Sequence, residues 1–182
     1  MRPLDRLAYQ ARSGDAGALE ALVGAGYEPV WRLCATIVGQ QEADDCAQES
    51  FVRAARALAR FRGESSVLTW LLGITRHVCL DELRSRQRRR DRDFVVSQAR
   101  ERTTADPSAL VALVDLLGSL DVERRTAFVL TQVLGLSYDE AARVCECPPG
   151  TVRSRVARAR AALVELVRQS ERDHSQRRSS SA

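Results

Sequence analysis

The apolar residues of this 182-residue chain recur at steps of three and four along nearly its whole length. β-Branched residues do not alternate with polar ones, and the chain contains only 10 glycines and 5 prolines. A step of three or four places apolar side chains on one face of an α-helix, whereas a half-buried strand needs a step of two. The pattern therefore predicts an all-α fold.

The same pattern predicts eight helices with one break between the fourth and the fifth. The helices are expected at Leu4–Ser13, Ala16–Val38, Glu42–Arg60, Val67–Arg90, Ser108–Leu120, Val122–Leu134, Ser137–Cys145 and Pro148–Arg172. Residues 91–107 lose the apolar step and end in Asp106-Pro107, a pair that disfavours helix. We expect two small helical domains, residues 1–90 and 108–172, joined by a flexible linker, residues 91–107. The polar tail, residues 173–182, is expected to be disordered.

The charge balance requires any surface that binds nucleic acid to be a local one. The chain has 28 basic and 24 acidic residues, a formal charge of +4, and every basic residue is arginine. The planar, forked guanidinium fits phosphates, base edges and carboxylates. Because the net charge is small, binding to nucleic acid would depend on clusters of arginine.

Several classes of protein find no support in the sequence. No run approaches the ~20 apolar residues that cross a bilayer, and the N-terminus lacks the apolar core of a signal peptide. The five cysteines are odd in number, and Cys145 and Cys147 lack the spacing of a zinc site. The motifs of phosphate loops, serine hydrolases and zinc proteases are absent. We therefore expect a cytoplasmic protein with reduced thiols, no membrane insertion, no metal, no cofactor and no enzymatic activity.

Two helices separated by a short turn lie near the C-terminus. Ser137 and Glu140 have the spacing of a capping box, which predicts that a helix begins there. The helix is expected to stop at Cys147-Pro148-Pro149-Gly150, and Thr151 leads into the next helix. This spacing is typical of a helix-turn-helix.

The second of these helices has a buried stripe and an arginine-rich outer face. At about 100° per residue, the stripe comprises Val152, Val156, Ala159, Leu163 and Leu166 with Val167. Residues 150–160 include four arginines and no acidic residue. The side chains that face outward or flank the stripe include Arg153, Ser154, Arg155, Ala157, Arg158 and Arg160.

This outer face suits the major groove of DNA. Arg153 and Arg158 can pair with guanine, and the small Ala157 can touch a thymine methyl. Ser154 fits a base or a phosphate, whereas Arg155 and Arg160 fit phosphates. A solvated arginine face without a DNA-binding role is the alternative.

The predicted helix Glu42–Arg60 carries an acidic outer face. Its narrow inner stripe comprises Ala43, Ala47, Ser50 with Phe51, Ala54 and Leu58. The residues that point outward are Glu42, Asp45, Gln48, Glu49, Val52 and Arg56. An acidic face with an apolar Val52 inside it fits a protein-docking surface, and a merely solvated face has a similar pattern.

The predicted helix Val67–Arg90 gathers an aromatic ring, an imidazole and arginines on one side. Trp70, His77, Asp81, Arg84 and Arg88 fall within about 60° of one another around the helix axis. A surface that binds unpaired bases needs an aromatic ring on which a base can stack, a polar side chain that can hydrogen-bond to a base, and cations that neutralise phosphates. The alternatives are a core role for Trp70 and an ordinary surface position for His77.

Four motifs resemble one known family. They are Ala43–Phe51; Phe61–Ser65 followed by Thr69–Leu71; Arg76-His77 followed by Asp81–Arg84; and Gly135–Ala142 followed by Cys147–Arg155. In this order and spacing they resemble the extracytoplasmic-function (ECF) group of bacterial sigma-70-type sigma factors, which retain only regions 2 and 4. Leu130–Gly135 is similar to the SigC-like branch of actinobacteria.

The resemblance implies that the chain is an RNA polymerase sigma factor. Region 2 would occupy residues 1–90, bind core polymerase (the β′ and β subunits) and open the −10 element, while region 4, residues 108–172, would bind the −35 element. An anti-sigma factor is a further partner that the family allows. The implied polymerase-binding residues are Asp44, Asp45, Gln48, Glu49, Phe51 and Val52. The implied residues at the melted −10 element are Trp70, Arg76, His77, Asp81, Arg84 and Arg88. Those at the double-stranded −35 element are Thr151, Arg153, Ser154, Arg155, Ala157, Arg158 and Arg160.

Two other functions are compatible with the same helices. A stand-alone dimeric helix-turn-helix regulator would use the same arginine face on a palindromic site. A helical adaptor would bind no nucleic acid at all. Within the sigma-factor interpretation, His77 stands where the family often has Asn, which leaves the base preference at the −10 element open.

Overall fold

The computed structural model describes residues 3–93 and 117–179. Within these two ranges the chain is helical and contains no strand, so the all-α prediction is confirmed. The helices, numbered here in chain order, are α1 (Pro3–Arg12), α2 (Ala16–Val38), α3 (Ala43–Ala57), α4 (Val67–Asp93), α5 (Val122–Phe128), α6 (Tyr138–Cys145) and α7 (Pro149–Ser179). No helix in the described ranges is long and apolar enough to cross a membrane.

Helices α1, α3 and α4 pack around α2. Asp15 caps α2, its side chain accepting a hydrogen bond from the Ala18 amide at 3.0 Å. The interior of this half includes Val30, Leu33 and Leu72, all fully buried. At Gly26 a Cβ would lie 3.0 Å from Leu71 Cδ2, so the missing side chain allows α2 and α4 to approach closely.

Helices α5 and α7 begin at residues whose chemistry favours the start of a helix. Asp121 accepts a hydrogen bond from the Arg124 amide at 2.8 Å and so begins α5. One π-helical turn, Val129–Val133, follows α5. Pro149 is the first residue of α7, the position where its missing N–H and fixed φ are tolerated.

The two halves of the described chain pack against each other. The largest apolar cluster includes Leu71 and Val78 of α4 together with Ala141 and Val144 of α6. Helices α2 and α5 are also in contact. The two predicted domains are therefore joined by a shared apolar interface as well as by the chain between them.

Three expected boundaries differ from the structure or lie outside it. Helix α4 continues through residues 91–93, which were expected to begin the linker, because no proline or glycine interrupts the charged sequence there. Helix α7 continues to Ser179, beyond its expected end at Arg172. Residues 173–179 are charged or polar and include no helix breaker. Residues 94–116, most of the linker and of the predicted helix Ser108–Leu120, lie outside the described residues.

Candidate nucleic-acid interface

The helix-turn-helix forms as its sequence predicts. The Glu140 amide donates to Ser137 Oγ at 3.2 Å, and the Ser137 amide donates to Glu140 Oε2 at 3.0 Å, which completes the capping box. Helix α6 ends at Glu146 in the left-handed conformation, and α7 begins three residues later. This turn places the N-terminal end of α7 at the surface.

Helix α7 presents the face that its periodicity predicts. Val152, Val156 and Ala159 are buried. On the opposite side, the exposed residues are Arg153, Ser154, Ala157, Arg158 and Arg160, with Thr151 and Arg155 half-buried. The structure thus brings the predicted −35 residues together on one face.

The arginines of this face differ in their freedom. Arg153 lies over the Tyr138 ring, 5.6 Å from its centroid, and Arg160 donates to Gln132. Arg155 pairs with Glu123 at 2.8 Å and contacts the Cys147 sulfur at 3.5 Å. Arg158 has no ion pair or hydrogen bond with any residue that the structure describes. It is therefore the arginine most available to a base.

Helix α3 presents the acidic face expected of it. Asp45, Gln48 and Glu49 are exposed, and Val52 keeps 43% of its surface exposed. Of these residues, Asp45 and Glu49 line a groove of about 450 Å³ between α3 and α4. Phe51 is half-buried and turned inward, where its ring stacks on Tyr27 with the centroids 6.4 Å apart.

Asp44 is anchored to α2 rather than free on the acidic face. Its Oδ1 accepts hydrogen bonds from Tyr27 Oη at 2.8 Å and Trp31 Nε1 at 2.9 Å. The hydrogen bond to Asp44 raises the pKa of Tyr27, because it stabilises the protonated phenol. Asp44 therefore fixes the orientation of α3 relative to α2.

Helix α4 carries exposed polar residues beside the acidic face. His77, Asp81, Arg84 and Arg88 are all exposed. Asp81 pairs with Arg53 of α3 at 2.9 Å and with Arg84 at 3.2 Å. The hydrogen bond from Arg53 holds the pKa of Asp81 below its usual range, so this carboxylate is ionised and tied to its neighbours.

Trp70 does not share this exposed surface. Its half-buried ring packs against Phe61, with the centroids 4.9 Å apart, and contacts the apolar clusters of the first half. The angular count placed Trp70 near His77, but it could not show that α1 and the 3₁₀ turn Leu58–Arg60 surround that end of α4. The structure favours the core role that the sequence left open.

Arg76 and His77 face the second half of the molecule. Arg76 is only 8% exposed. Its Nη2 lies 3.3 Å from Glu123 Oε1, and its Nη1 lies 3.9 Å from Glu146 Oε2. His77 Nε2 lies 2.9 Å from Glu146 Oε1. Two predicted −10 residues thus contact acids of the second half. The sequence pattern did not identify these acids, because pairing between distant helices leaves no periodic signal.

The cysteines form no disulfide. Cys34, Cys46, Cys79 and Cys145 are buried as free thiols, and Cys147 is half-buried. Burial raises the pKa of Cys145 to about 11. Among the described residues, no three potential metal ligands come together.

Comparison with known proteins identifies the family. The family model "Sigma-70 region 2" matches residues 22–89, and "Sigma-70, region 4" matches residues 110–163. The ECF RNA polymerase sigma factor SigC of Mycobacterium tuberculosis is 44% identical over 163 residues, covering 87% of this chain and 88% of SigC.

Two solved structures share the fold. The structure of CnrH, in complex with the cytosolic domain of CnrY, superposes with a TM-score of 0.71 at 30% identity, covering 91% of this chain and 98% of CnrH. The sigma factor RpoE of Bartonella quintana, in complex with the anti-sigma factor NepR, has a TM-score of 0.71 at 26% identity, covering 82% of this chain and 96% of RpoE. From the matched regions and the SigC relative, we conclude that this chain belongs to the ECF sigma factors of the sigma-70 family.

Proposed function

We propose that this chain binds core RNA polymerase and directs it to promoters, with α7 reading the −35 element and α4 contacting the melted −10 element. The acid-free arginine face of α7, exposed directly after a capped helix-turn-helix, is the observation that carries this proposal. The acidic face of α3 lies in the other half and offers a separate surface for a protein partner. Two surfaces of different charge fit a subunit that joins an enzyme to DNA.

The −35 contacts follow from the exposure of each side chain on α7. Arg158 is unpaired among the described residues, and Arg153 is held only over a ring. We assign both to guanine, Ala157 to a thymine methyl and Ser154 to a base or phosphate. The residues assigned to the phosphate backbone are Thr151, Arg155 and Arg160.

The polymerase contacts follow from the composition of the α3 face. Asp45, Gln48, Glu49 and Val52 are exposed side by side and can bind a basic surface with an apolar contact at its centre. Asp44 and Phe51 support this face through Tyr27. The partner assigned to this face is core polymerase, through its β′ and β subunits.

The −10 contacts involve the exposed side of α4. Arg84 and Arg88 can neutralise phosphates of the separated strands, and His77 can read an unstacked base. Arg76 can contact the same strand only when its ion pairs with Glu123 and Glu146 are broken. Asp81 is a positioning residue for Arg84, and Trp70 packs within region 2. Capture of an unstacked base offsets the few kcal/mol that unstacking costs.

The role needs no bond-making chemistry in this chain, since the polymerase makes the RNA. Because bacterial transcription takes place in the cytoplasm, we assign the protein to that compartment. A structural neighbour was solved with an anti-sigma factor, which makes a regulatory protein of that class a further candidate partner.

A DNA-binding assay with and without core polymerase tests this function against a stand-alone regulator. For a sigma factor, we expect footprinting to show sequence-specific protection of −35 and −10 elements chiefly when core polymerase is present. Protection of a palindrome by the chain alone would identify a dimeric regulator instead.

A further inference from the structure

Three of the five cysteines meet where α2, α3 and α4 pack together. Cys34 lies on α2, Cys46 on α3 and Cys79 on α4, and all three are buried free thiols of the largest apolar cluster. The Cys79 thiol is hydrogen-bonded to both Cys34 and Cys46. The three sulfur atoms therefore form one thiol cluster inside region 2.

The inner face of α3 allows its backbone to come close to α4. The residues that α3 buries are all small: Ala43, Cys46, Ala47, Ser50 and Ala54. Small side chains let the axes of two packed helices approach more closely than large ones do. A disulfide requires the Cα atoms of its two cysteines to lie within about 7 Å of each other. The small residues of α3 favour such a separation between Cys46 and Cys79.

One thiol of the cluster opens to a groove. Cys46 lines the groove of about 450 Å³ between α3 and α4 and keeps 5% of its surface exposed, whereas Cys34 and Cys79 are fully buried. Hydrogen peroxide is only slightly larger than water and needs less access than a bulky alkylating reagent. Cys46 is therefore the thiol of the cluster that a small oxidant meets first.

The contacts within the cluster also make Cys46 the more acidic thiol. The hydrogen bond with Cys79 holds the pKa of Cys46 below its usual value, because it stabilises the thiolate. Burial and the charge of Glu82 oppose this effect, while the charge of Arg86 supports it. The hydrogen bonds with Cys34 and Cys46 raise the pKa of Cys79, which therefore keeps its proton. The thiolate is the form of cysteine that attacks an oxidant.

We propose that Cys46 is an oxidation site for hydrogen peroxide and that Cys79 converts the oxidised Cys46 into a disulfide that joins α3 to α4. In the first step the Cys46 sulfur attacks a peroxide oxygen. The S–O bond of a sulfenic acid forms, the O–O bond breaks, and the departing hydroxide takes up the proton that Cys46 has lost. In the second step the Cys79 sulfur attacks the Cys46 sulfur. The S–S bond forms, the S–O bond breaks, and hydroxide leaves with the Cys79 proton as water. One peroxide thus oxidises two thiols and yields one disulfide and two water molecules.

The disulfide couples oxidation to the face that we assign to polymerase. Asp45 and Glu49 of that face line the same groove as Cys46. The two sulfur atoms of a disulfide are only about 2.05 Å apart, much closer than two thiols in contact, so α3 must move towards α4 when the bond forms. The docking side chains move with the helix. This consequence rests on the proposed polymerase-binding function, whereas the oxidation chemistry does not.

Mass spectrometry of the folded full chain tests the oxidation site without polymerase or DNA. The reduced protein is treated with a small excess of hydrogen peroxide, and its remaining thiols are then blocked with N-ethylmaleimide during denaturation. We expect peptides joined through Cys46 and Cys79, which dithiothreitol separates. An unoxidised Cys46, or a disulfide between Cys34 and Cys79 with Cys46 still reduced, would overturn the assignment.

Alanine variants separate the roles of the two cysteines, and alanine suits the small-residue interface. Cys79→Ala is expected to stop at the sulfenic acid of Cys46, which dimedone labels, whereas Cys46→Ala should leave Cys79 reduced. Cys147→Ala is the matched control, because it removes a half-buried thiol outside the cluster and should form the same disulfide as the natural chain. Circular dichroism verifies the helix content of each variant. Equally fast oxidation of Cys79 in Cys46→Ala would show that Cys46 is not the thiol that meets peroxide. The peptide map of the natural chain decides the site even where a variant fails to fold.

Co-purification with core RNA polymerase tests the consequence for docking. Peroxide is removed before the proteins are mixed. We expect the oxidised natural chain to be retained several-fold less than the reduced chain, with recovery after dithiothreitol, while peroxide treatment leaves the retention of Cys46→Ala unchanged. Equal retention of the oxidised and reduced natural chain would overturn the effect on docking. If the reduced chain is itself not retained, the proposed polymerase-binding function fails, and the disulfide found by mass spectrometry stands independently.

Discussion

At the scale of single residues, Arg158 carries the most specific prediction. Its guanidinium faces outward on α7 and has no partner among the described residues, so its loss leaves the fold intact. We expect Arg158→Ala to weaken use of one −35 sequence by about 1–3 kcal/mol, because a bidentate pair with guanine distinguishes the correct base. Transcription from promoters that differ at single −35 positions measures this selectivity.

The control for Arg158 lies on the same helix. Arg168 is exposed farther along α7, beyond the N-terminal turns that enter a groove. Arg168→Ala is expected to leave the preference among −35 sequences unchanged. An equal loss on all sequences after Arg158→Ala would show that Arg158 contacts phosphate instead of a base.

The cysteines differ in reactivity for reasons of burial. Only Cys147 is partly accessible, and burial holds the pKa of Cys145 near 11, far above neutral pH. Because the thiolate is the reactive form, we expect iodoacetamide at pH 7 to modify Cys147 first in the native protein. Mass spectrometry of native and denatured samples checks this. Equally fast modification of Cys34 or Cys79 would contradict the packed core.

At the scale of helices, the capping box of α6 has a measurable contribution to stability. Ser137→Ala removes the acceptor of the Glu140 amide and is expected to cost about 1 kcal/mol of unfolding free energy. Chemical denaturation measures the change. Ser154→Ala, at an exposed position on α7, should change the stability by less than about 0.5 kcal/mol. An equal loss in both variants would exclude a specific capping effect.

The acidic face of α3 is tested by charge reversal. We expect Asp45→Lys and Glu49→Lys to reduce co-purification with core RNA polymerase, because they oppose the charge that a basic partner recognises. Helix content should stay unchanged, since both residues are exposed. Glu20→Lys reverses an exposed charge on α2 as the control. Undiminished co-purification of the α3 variants would remove this docking surface.

Helix caps and faces were predictable from the sequence, whereas helix ends without caps were not. Ser137 begins a helix as expected, and the buried stripe of α7 begins at Val152 as its period requires. Helices α4 and α7 extend beyond their expected ends, because charged residues do not stop a helix that is already formed. The packing of Trp70 shows that the angular position of a residue on its own helix cannot identify the helices that pack against it.

At the scale of the whole molecule, the packing of region 4 on region 2 was not predictable. Each amphipathic helix shows which face it buries, but not the helix against which it packs. Arg76 and Glu146 lie 70 positions apart and meet only because α4 and α6 share an apolar interface. The same interface brings Glu123 and Glu146 into contact with Arg76 and His77, two residues that we assign to DNA.

In vitro run-off transcription tests whether this chain directs core RNA polymerase to promoters. The assay uses purified core polymerase and a library of promoters with randomised −35 and −10 elements. We expect transcripts above the background of core polymerase alone, starting downstream of one shared −35 sequence and one shared −10 sequence. Arg158→Ala should alter the selected −35 sequence and leave the −10 sequence unchanged. Transcription equal to that of core polymerase alone, with the folded natural protein present in excess over core polymerase, would contradict the proposed function.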